Sequence, residues 1–390
     1  MSKPKSGNAG FGRASAQVHH LLTEAWRLQP LYVSLCAILL SFVVGGVLIS
    51  IIGINPFTAY WALLQGMVGG RSQIASSVAK SVPFIGSALA LAFAFRAGLF
   101  NIGAEGQLLA GGITAAWVGA MSWMYDLPGI LAIPVILVAG TLGGAIWGGI
   151  PGVLRTKTGA HEVISTIMLN YLVLYVIRWM VNSRDPVVLR DIDSSVPRTE
   201  QISDTAVLPG LLPESVSSQP ELHTGLIVLV GVCFVVAFAL KRTNFGFEVI
   251  TVGLNPHASH YAGINVNRVI AISMAASGAF AGLAAASEVS GTTGHFQPGT
   301  FALMGFDGIA IALLARTNPI AIIAAALLWG SMLSGAPLMQ QEADVSIDVV
   351  RIIQAMVLLF VAADAIVRYL FRVREISHSP FGTTSSGEQV

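Results

Sequence analysis

About ten apolar blocks of helix-spanning length, separated by short polar joints, make up most of this 390-residue chain. A run of roughly 18 or more apolar residues can cross a bilayer, and inside lipid only a helix or a closed barrel satisfies its own backbone. One such block would be an anchor. Ten, with almost no soluble remainder, make the membrane part the working part. The composition agrees, with 54% of residues hydrophobic and 11% charged, against roughly 25% charged in soluble domains. The expected fold is all-α: a polytopic membrane helical bundle of about ten transmembrane helices with broken or re-entrant segments, solvated by the lipid bilayer.

The blocks cover residues 31–52, 73–95, 99–121, 128–152, 163–182, 224–240, 267–290, 303–315, 318–336 and 347–370. At about 1.5 Å per residue, the 303–315 block falls short of a crossing unless the Gly/Pro-rich stretch before it contributes. The first block is too long for a signal-peptide core and lacks a small-x-small cleavage pattern after it, so it is expected to stay as the first span. The organisation that follows is an N-terminal tail (1–30), a membrane domain (31–370) and a C-terminal tail (371–390). Two long joints interrupt the membrane domain, 183–223 and 241–268.

With the N-terminus placed in the cytoplasm, 14 of the 21 Lys and Arg residues fall on inner joints and most acids fall outside. That is the sense of the positive-inside rule, and an even span count puts both termini in the cytoplasm. A net charge of +1 supplies no field that would recruit nucleic acid. Cys36 and Cys233 both sit inside apolar runs. They read as small buried hydrophobes, with neither a disulfide nor a metal site indicated.

Four carboxylates lie at membrane depth: Glu105, Glu288, Asp307 and Asp364. Such groups are costly in lipid and mark a pathway or a buried partner. Asp364, one turn before Arg368, reads as an interfacial i,i+4 pair. Glu288, near an outer span end, is expected to reach water. Glu105 and Asp307 are each set among glycines, in GLFNIGAEGQLLAGG with Asn101 and Gln107, and in MGFDGIAIALLA. Broken membrane helices expose backbone that must line a cavity or be buried in protein. Each acid is therefore either a polar lining for a hydrophilic solute or a carboxylate capping a helix N-terminus. Gly140, Gly144 and Gly148 form consecutive GxxxG steps, and Gly278 with Gly282 forms another. These read as tight packing inside one subunit or as a seam between subunits.

The outer joint Ser183–His223 holds five prolines and seven acids against three arginines, and reads as an irregular extracytoplasmic cap or a solvated loop. The inner joint Lys241–Arg268 has explicit helix grammar. Asn255 can cap, Pro256 suits the first helical position, and Gly263 suits a left-handed residue after the end. The spacing predicts a short helix over 256–262. Tyr261, flanked by Ala258 and Ala262, forms a small apolar knob with His257 and His260 beside it. The histidines have no Cys or carboxylate neighbour, so no metal site is indicated. The segment is a docking element or a structured loop.

The chain contains no GxxxxGK[ST] phosphate loop, no HExxH and no Ser/His/Asp arrangement, so no enzymatic or cofactor site is expected in it. Three classes remain: a permease driven by a separate motor, a secondary transporter with Glu105 or Asp307 as coupling group, and a channel.

The segments FNIGAEGQ (100–107), HEVISTIMLNY (161–171), VGLNPHASHYAGI (252–264), SGAFAGL (277–283) and GFDGIAIALL (305–314) resemble permease subunits of nucleoside or simple-sugar ABC importers, within the ribose/branched-chain amino acid permease superfamily. His161 stands where asparagine is commoner in that family. The resemblance implies a solute path for a small polar solute, enclosed with a second related permease subunit in the bacterial inner membrane. It also implies ABC ATPase subunits that bind the ATP and an extracytoplasmic solute-binding (lipo)protein. By position, Asn255, Pro256, His257, Ala258, Tyr261, Ala262 and Gly263 resemble the coupling helix that enters a cleft of the ATPase. Asn101, Glu105, Gln107, Asn170 and Asp307 are the residues expected at the solute path or its helix breaks. The long outer loop resembles that of the larger permease partner in nucleoside systems.

Overall fold

The computed structural model describes residues 34–213 and 222–363. The two tails, and with them the Asp364–Arg368 pair, lie outside the described residues. Within them the helices are α1 Ser34–Ile51, α2 Pro56–Val68, α3 Arg71–Arg96, α4 Ala104–Gly119, α5 Gly129–Thr158 and α6 Glu162–Asn182. There follow α7 Gly225–Arg242, α8 Asn244–Leu254, α9 Pro256–Tyr261, α10 Val266–Glu288, α11 Met304–Leu314, α12 Pro319–Ala343 and α13 Ile347–Ala362. Isolated bridges at Arg184–Val187 and Gly210–His223 are the β pairings among the described residues. Seven helices are long and apolar enough to cross a membrane: α1, α3, α5, α6, α7, α12, and α10 with its π-helical extension to Thr293. The fold is an all-α membrane bundle.

Three helices begin with the same dipeptide. Asn55, Asn255 and Asn318 each precede a proline at the first helical position, and their side chains accept from Phe57, Ala258 and Ile320 N–H respectively. An Asn cap satisfies a backbone donor that would otherwise be orphaned, and proline there forfeits none. The expected spans pass over the first of these, α2, because 13 residues are too few to register as a crossing. It packs instead on α12, where Gly66 meets the Gly335 backbone; a Cβ on Gly66 would lie 2.7 Å from Gly335 Cα.

The most extensive helix contact is α5 on α10. Gly144 faces the Gly278 carbonyl, Gly140 faces Ala286, and Gly148 would place a Cβ 2.9 Å from Gly278 Cα. Both GxxxG motifs thus interlock inside one subunit, and their backbones approach as only small residues allow. The outward side of α5 and α6 is apolar, with Ile130, Ile146, Met168 and Trp179 exposed, as a lipid-facing surface requires.

One end of the bundle is closed by 183–213 and 222–224. This segment is packed rather than solvated: Ile202, Ala206, Leu208 and His223 are buried. Ser203 N–H donates to Gly119 O at 2.8 Å, Thr199 N–H to Phe296 O at 2.9 Å, and Leu208 N–H to Ser290 O at 2.9 Å. The other end carries α8 and α9. Glu288 corrects its expectation here. It is 9% exposed and bonds Thr292, because the cap and the π-turn cover the end of α10.

Candidate functional site

The chain from α3 to α4 does not simply turn at the α9 end. Residues 97–103 rise back into the bundle before α4 begins, pinned by Leu99 N–H on Ala94 O at 3.0 Å. From the other side, the non-helical stretch 294–303 descends from the cap, with Phe296 and Phe301 buried against Gly112. It ends at the N-terminus of α11. The 303–315 block therefore begins mid-bundle as an 11-residue helix, and the Gly/Pro-rich segment before it makes up the remaining depth to the cap. Ser87 Oγ donates to Met304 O at 2.9 Å, so α11 starts level with Ser87, about 14 Å up α3 from Arg96 at 1.5 Å per residue. Two half-length helices, α4 and α11, thus meet by their N-termini deep in the bundle. A Cβ on Gly305 would clash with the backbone of Glu105.

Glu105 joins them. Its carboxylate accepts from Leu303 N–H at 2.9 Å and Gly305 N–H at 2.7 Å, capping a helix that begins some 200 residues later in the chain. Leu303 holds a left-handed φ of 68°, a conformation costing about 1–3 kcal/mol for such a side chain. Hydrogen bonds to a charged group contribute about 1.5–3 kcal/mol each, enough for the pair to offset that strain. Of the two readings open for this residue, the geometry is that of a cap, with a partner in another helix.

Around it lies a closed amide network. Asn101 Nδ2 donates to Gln107 Oε1 at 3.0 Å and to Ser277 Oγ at 2.8 Å, and Ser277 Oγ donates to Ala90 O at 2.6 Å. Asn101 Oδ1 accepts from Gly103 N–H at 2.9 Å. Asn170, on α6, accepts from Gly106 N–H and donates to Ile102 O, both at 2.9 Å. All three amides are buried. Their bonds replace the helical ones lost where α3 breaks, as buried polar backbone demands. α6 itself starts at His161, whose Nδ1 accepts from Val163 N–H. Histidine thus performs the capping that asparagine would. Beside it Arg155 pairs with Glu162 at 2.5 Å across the α5–α6 joint.

Asp307, one turn into α11, is not part of that network. It lines a cavity of about 310 Å³ between α3, α11, α12 and α13, together with Trp329, Arg351 and Gln354. Lys80 stands nearby on α3, its Nζ donating to Leu333 O at 3.3 Å.

At the α9 end, α8 and α9 form an elbow. Asn255 Oδ1 accepts from Ala258 N–H at 3.0 Å, and Gly263 takes φ +82° after the Ala262 cap. The helix stops one residue short of the expected 262, and α8 precedes it where a plain joint was expected. Ser259 is buried, whereas Tyr261 is 92% and Leu254 82% exposed. The elbow rests on the α3–α4 break: a Cβ on Gly98 would lie 2.9 Å from Gly253 O.

A family described as branched-chain amino acid transport system / permease component matches residues 73–362. The guanosine ABC transporter permease protein NupP of Bacillus subtilis is 39% identical over 88% of this chain and 96% of its own length. The nucleoside ABC transporter permease protein NupB of Lactococcus lactis is 34% identical over 93% and 99%. The glucose ABC transporter permease protein TsgB13 of Haloferax volcanii is 32% identical over 83% and 84%. This chain belongs to that permease family. No solved structure matches it.

In this permease of an ABC transporter, the expected site residues fall into three places. Asn101, Glu105, Gln107 and Asn170 come together at the α4–α11 junction, Asp307 lines a separate cavity beyond it, and 255–263 form the exposed elbow. Lys80, Trp329, Arg351 and Gln354 were missed from sequence. An inventory of intramembrane carboxylates passes over cations and amides in the same runs; counting those would have flagged Lys80, Arg351 and Gln354 one by one, while Trp329 carries no such signal.

Proposed function

We propose that this permease imports a nucleoside or a simple sugar, driven by ATP hydrolysis on separate ABC ATPase subunits that dock at α9. The observation that carries this reading is the elbow itself: a capped six-residue helix whose largest apolar side chain, Tyr261, faces solvent. A helix this short is marginal alone, and burying such a side chain is worth roughly 1.5–3 kcal/mol. That changes docking occupancy about ten- to a hundredfold. The sequence has no phosphate loop of its own, so the motor is assigned to the partners and the chain is not itself an enzyme.

The solute class is supported by the guanosine, nucleoside and glucose named in the relatives, which share polar rings bearing vicinal hydroxyls. A second permease subunit is supported by the α13 face, where Arg351 stands 60% exposed in its side chain, a poor surface for acyl chains. The basic bias of the joints supports a bacterial inner-membrane orientation with the α9 end and both termini in the cytoplasm. The 183–223 cap then faces the solute-binding (lipo)protein outside. The α4–α11 junction, with Asn101, Glu105, Gln107 and Asn170, holds the helix breaks that bound the path.

Ala258→Asp tests the docking assignment. The variant is expected to insert normally while losing co-purification with the ATPase subunits, solute-stimulated hydrolysis and uptake together. Full ATPase binding and transport by Ala258→Asp would refute it.

A further inference from the structure

We propose that the cavity beside Asp307 is a solute subsite, in which the carboxylate accepts the two hydroxyls of a vicinal diol on a ribose or hexose ring. The inference rests on the nucleoside-or-sugar reading above and assigns it a place in the molecule.

Four polar side chains from three helices converge on this cavity: Asp307, Trp329, Arg351 and Gln354. Trp329 is 2% exposed, and its buried Nε1–H lies against the Asp307 carboxylate in poor hydrogen-bond geometry. A buried donor so weakly satisfied is costly, and a ligand hydroxyl between the two groups would serve both. Gln354, 3% exposed, is anchored by Nε2 on the main-chain carbonyl of Trp329 at 3.3 Å, which ties the amide to the backbone of α12. Lys80, one turn before Phe84 on α3, donates to the carbonyl of Leu333, a residue of the cavity lining.

Glu105 offers no such site, because both its oxygens already hold backbone N–H groups of α11. An ionised carboxylate is acceptor-only with two oxygens, so its complement is a pair of O–H donors on adjacent carbons. The Trp329 N–H and the Arg351 guanidinium supply donors for the lone pairs of the same ring. Phe84 and Phe306 supply the apolar wall. The volume of about 310 Å³ lies at the small end of ligand pockets, roughly 300–1,000 Å³, as suits one small polar solute. Arg351, 60% exposed in its side chain and paired at 4.0 Å with Asp348 one turn earlier on α13, lines the cavity at this end. A charge so exposed is a poor surface for acyl chains, as suits a cavity that opens toward water or protein.

The test uses the assembled transporter, with its ATPases, partner permease and binding protein, reconstituted in vesicles. Uptake of guanosine and 2′-deoxyguanosine is compared between the wild type and Asp307→Asn. The binding protein is common to both arms, so its own selectivity cancels. Loss of two hydrogen bonds to a charge should lower guanosine uptake about a hundredfold or more, and 2′-deoxyguanosine, which keeps only the 3′-hydroxyl, should lose about tenfold less. Trp329→Phe, which keeps the ring and removes the N–H, should lower both several-fold. Equal loss of both nucleosides in Asp307→Asn, or no loss of either, overturns the subsite. If the wild type imports neither nucleoside, the nucleoside half of the earlier reading fails, and glucose against 2-deoxyglucose decides the subsite by the same criterion. A second measurement guards against an Asp307→Asn that does not assemble. Ala355→Cys, on the cavity wall, should be labelled by a small maleimide more slowly with saturating guanosine than with 2′-deoxyguanosine. Identical labelling with and without either nucleoside overturns the proposal.

Discussion

The α5–α10 seam and the α4–α11 junction are both rich in glycine, and they use it for opposite ends. Along the seam, Gly140, Gly144 and Gly148 bring backbone against the backbone of Gly278 and Gly282 with no ionisable group between. At the junction, Gly305 lets the N-terminus of α11 reach Glu105, and the contact is closed by a carboxylate and backbone N–H groups. Where Gly144 meets Gly278 and Gly282 the seam is main chain on main chain, with no side chain to rearrange. It is a fixed frame. The junction is held by discrete hydrogen bonds between two helices that each end inside the bundle, and such bonds can be traded for others. Glycine in a membrane helix is thus no single signal: what faces it decides whether the contact is a weld or a latch.

The largest effect should come from attacking the weld. In Gly278→Leu the new side chain meets the Gly144 carbonyl and the Gly148 backbone, where nothing can rotate away. Overpacking ordinarily costs about 1–3 kcal/mol, and against backbone on both sides the cost should exceed that range. Little monodisperse protein should survive detergent extraction. A Gly278→Leu permease with wild-type thermal stability would erase the distinction between the two regions.

The latch should behave differently. Glu105→Gln keeps the shape but replaces two charge-assisted bonds, so stability should fall by about 1.5–3 kcal/mol with the helices still assembled. Uptake should drop without any change in its pH profile, because both carboxylate oxygens are engaged in the cap. Thermal shift and uptake across pH check both halves. Uptake that tracks a proton gradient and survives ATP depletion would make Glu105 a coupling group instead.

A smaller effect belongs to the cap above the seam, where His223 packs against Gly291 and Gly225 and accepts from Gly225 N–H at 3.2 Å. Burial pulls this imidazole down from its ordinary 6.5 to about 4. The folded state therefore holds His223 neutral while the unfolded chain takes up a proton below pH 6.5. Its contribution is intact above that pH and declines between about pH 6.5 and 4, by no more than about 1.4 kcal/mol per unit. His223→Gln should flatten that part of the stability curve, and an unchanged curve would show that another group titrates there.

Sequence was most informative where structure is local. The Asn255–Pro256 start and the Gly263 stop of α9 lie within nine residues and could be read directly. The same Asn–Pro grammar opens α2 at Asn55, but a search for crossings passes over a helix of 13 residues. The glycine motifs of α5 and α10 announced close packing, and their partnership with each other needed the fold. Glu105 could be recognised as an unusual acid, yet its partners Leu303 and Gly305 lie some 200 residues away, and no periodicity spans that distance. Trp329, Arg351 and Gln354 read separately as ordinary members of apolar helices. Only the packing of α12 on α13 makes a site of them.

The contact between Gly98 and Gly253 has a mechanical meaning. Side chains are springs: a push delivered through a leucine or a lysine is partly absorbed as it changes rotamer. Here the end of α8 bears on the α3–α4 break through main chain alone, and main chain in contact has almost no slack. If force enters at α9 as proposed, displacement of the elbow would reach residues 97–103 nearly undiminished, a segment that contains Asn101 and ends two residues before the Glu105 latch. Adding even one methyl at either glycine would insert a shim into that linkage, changing its stroke without touching the docking surface or the solute.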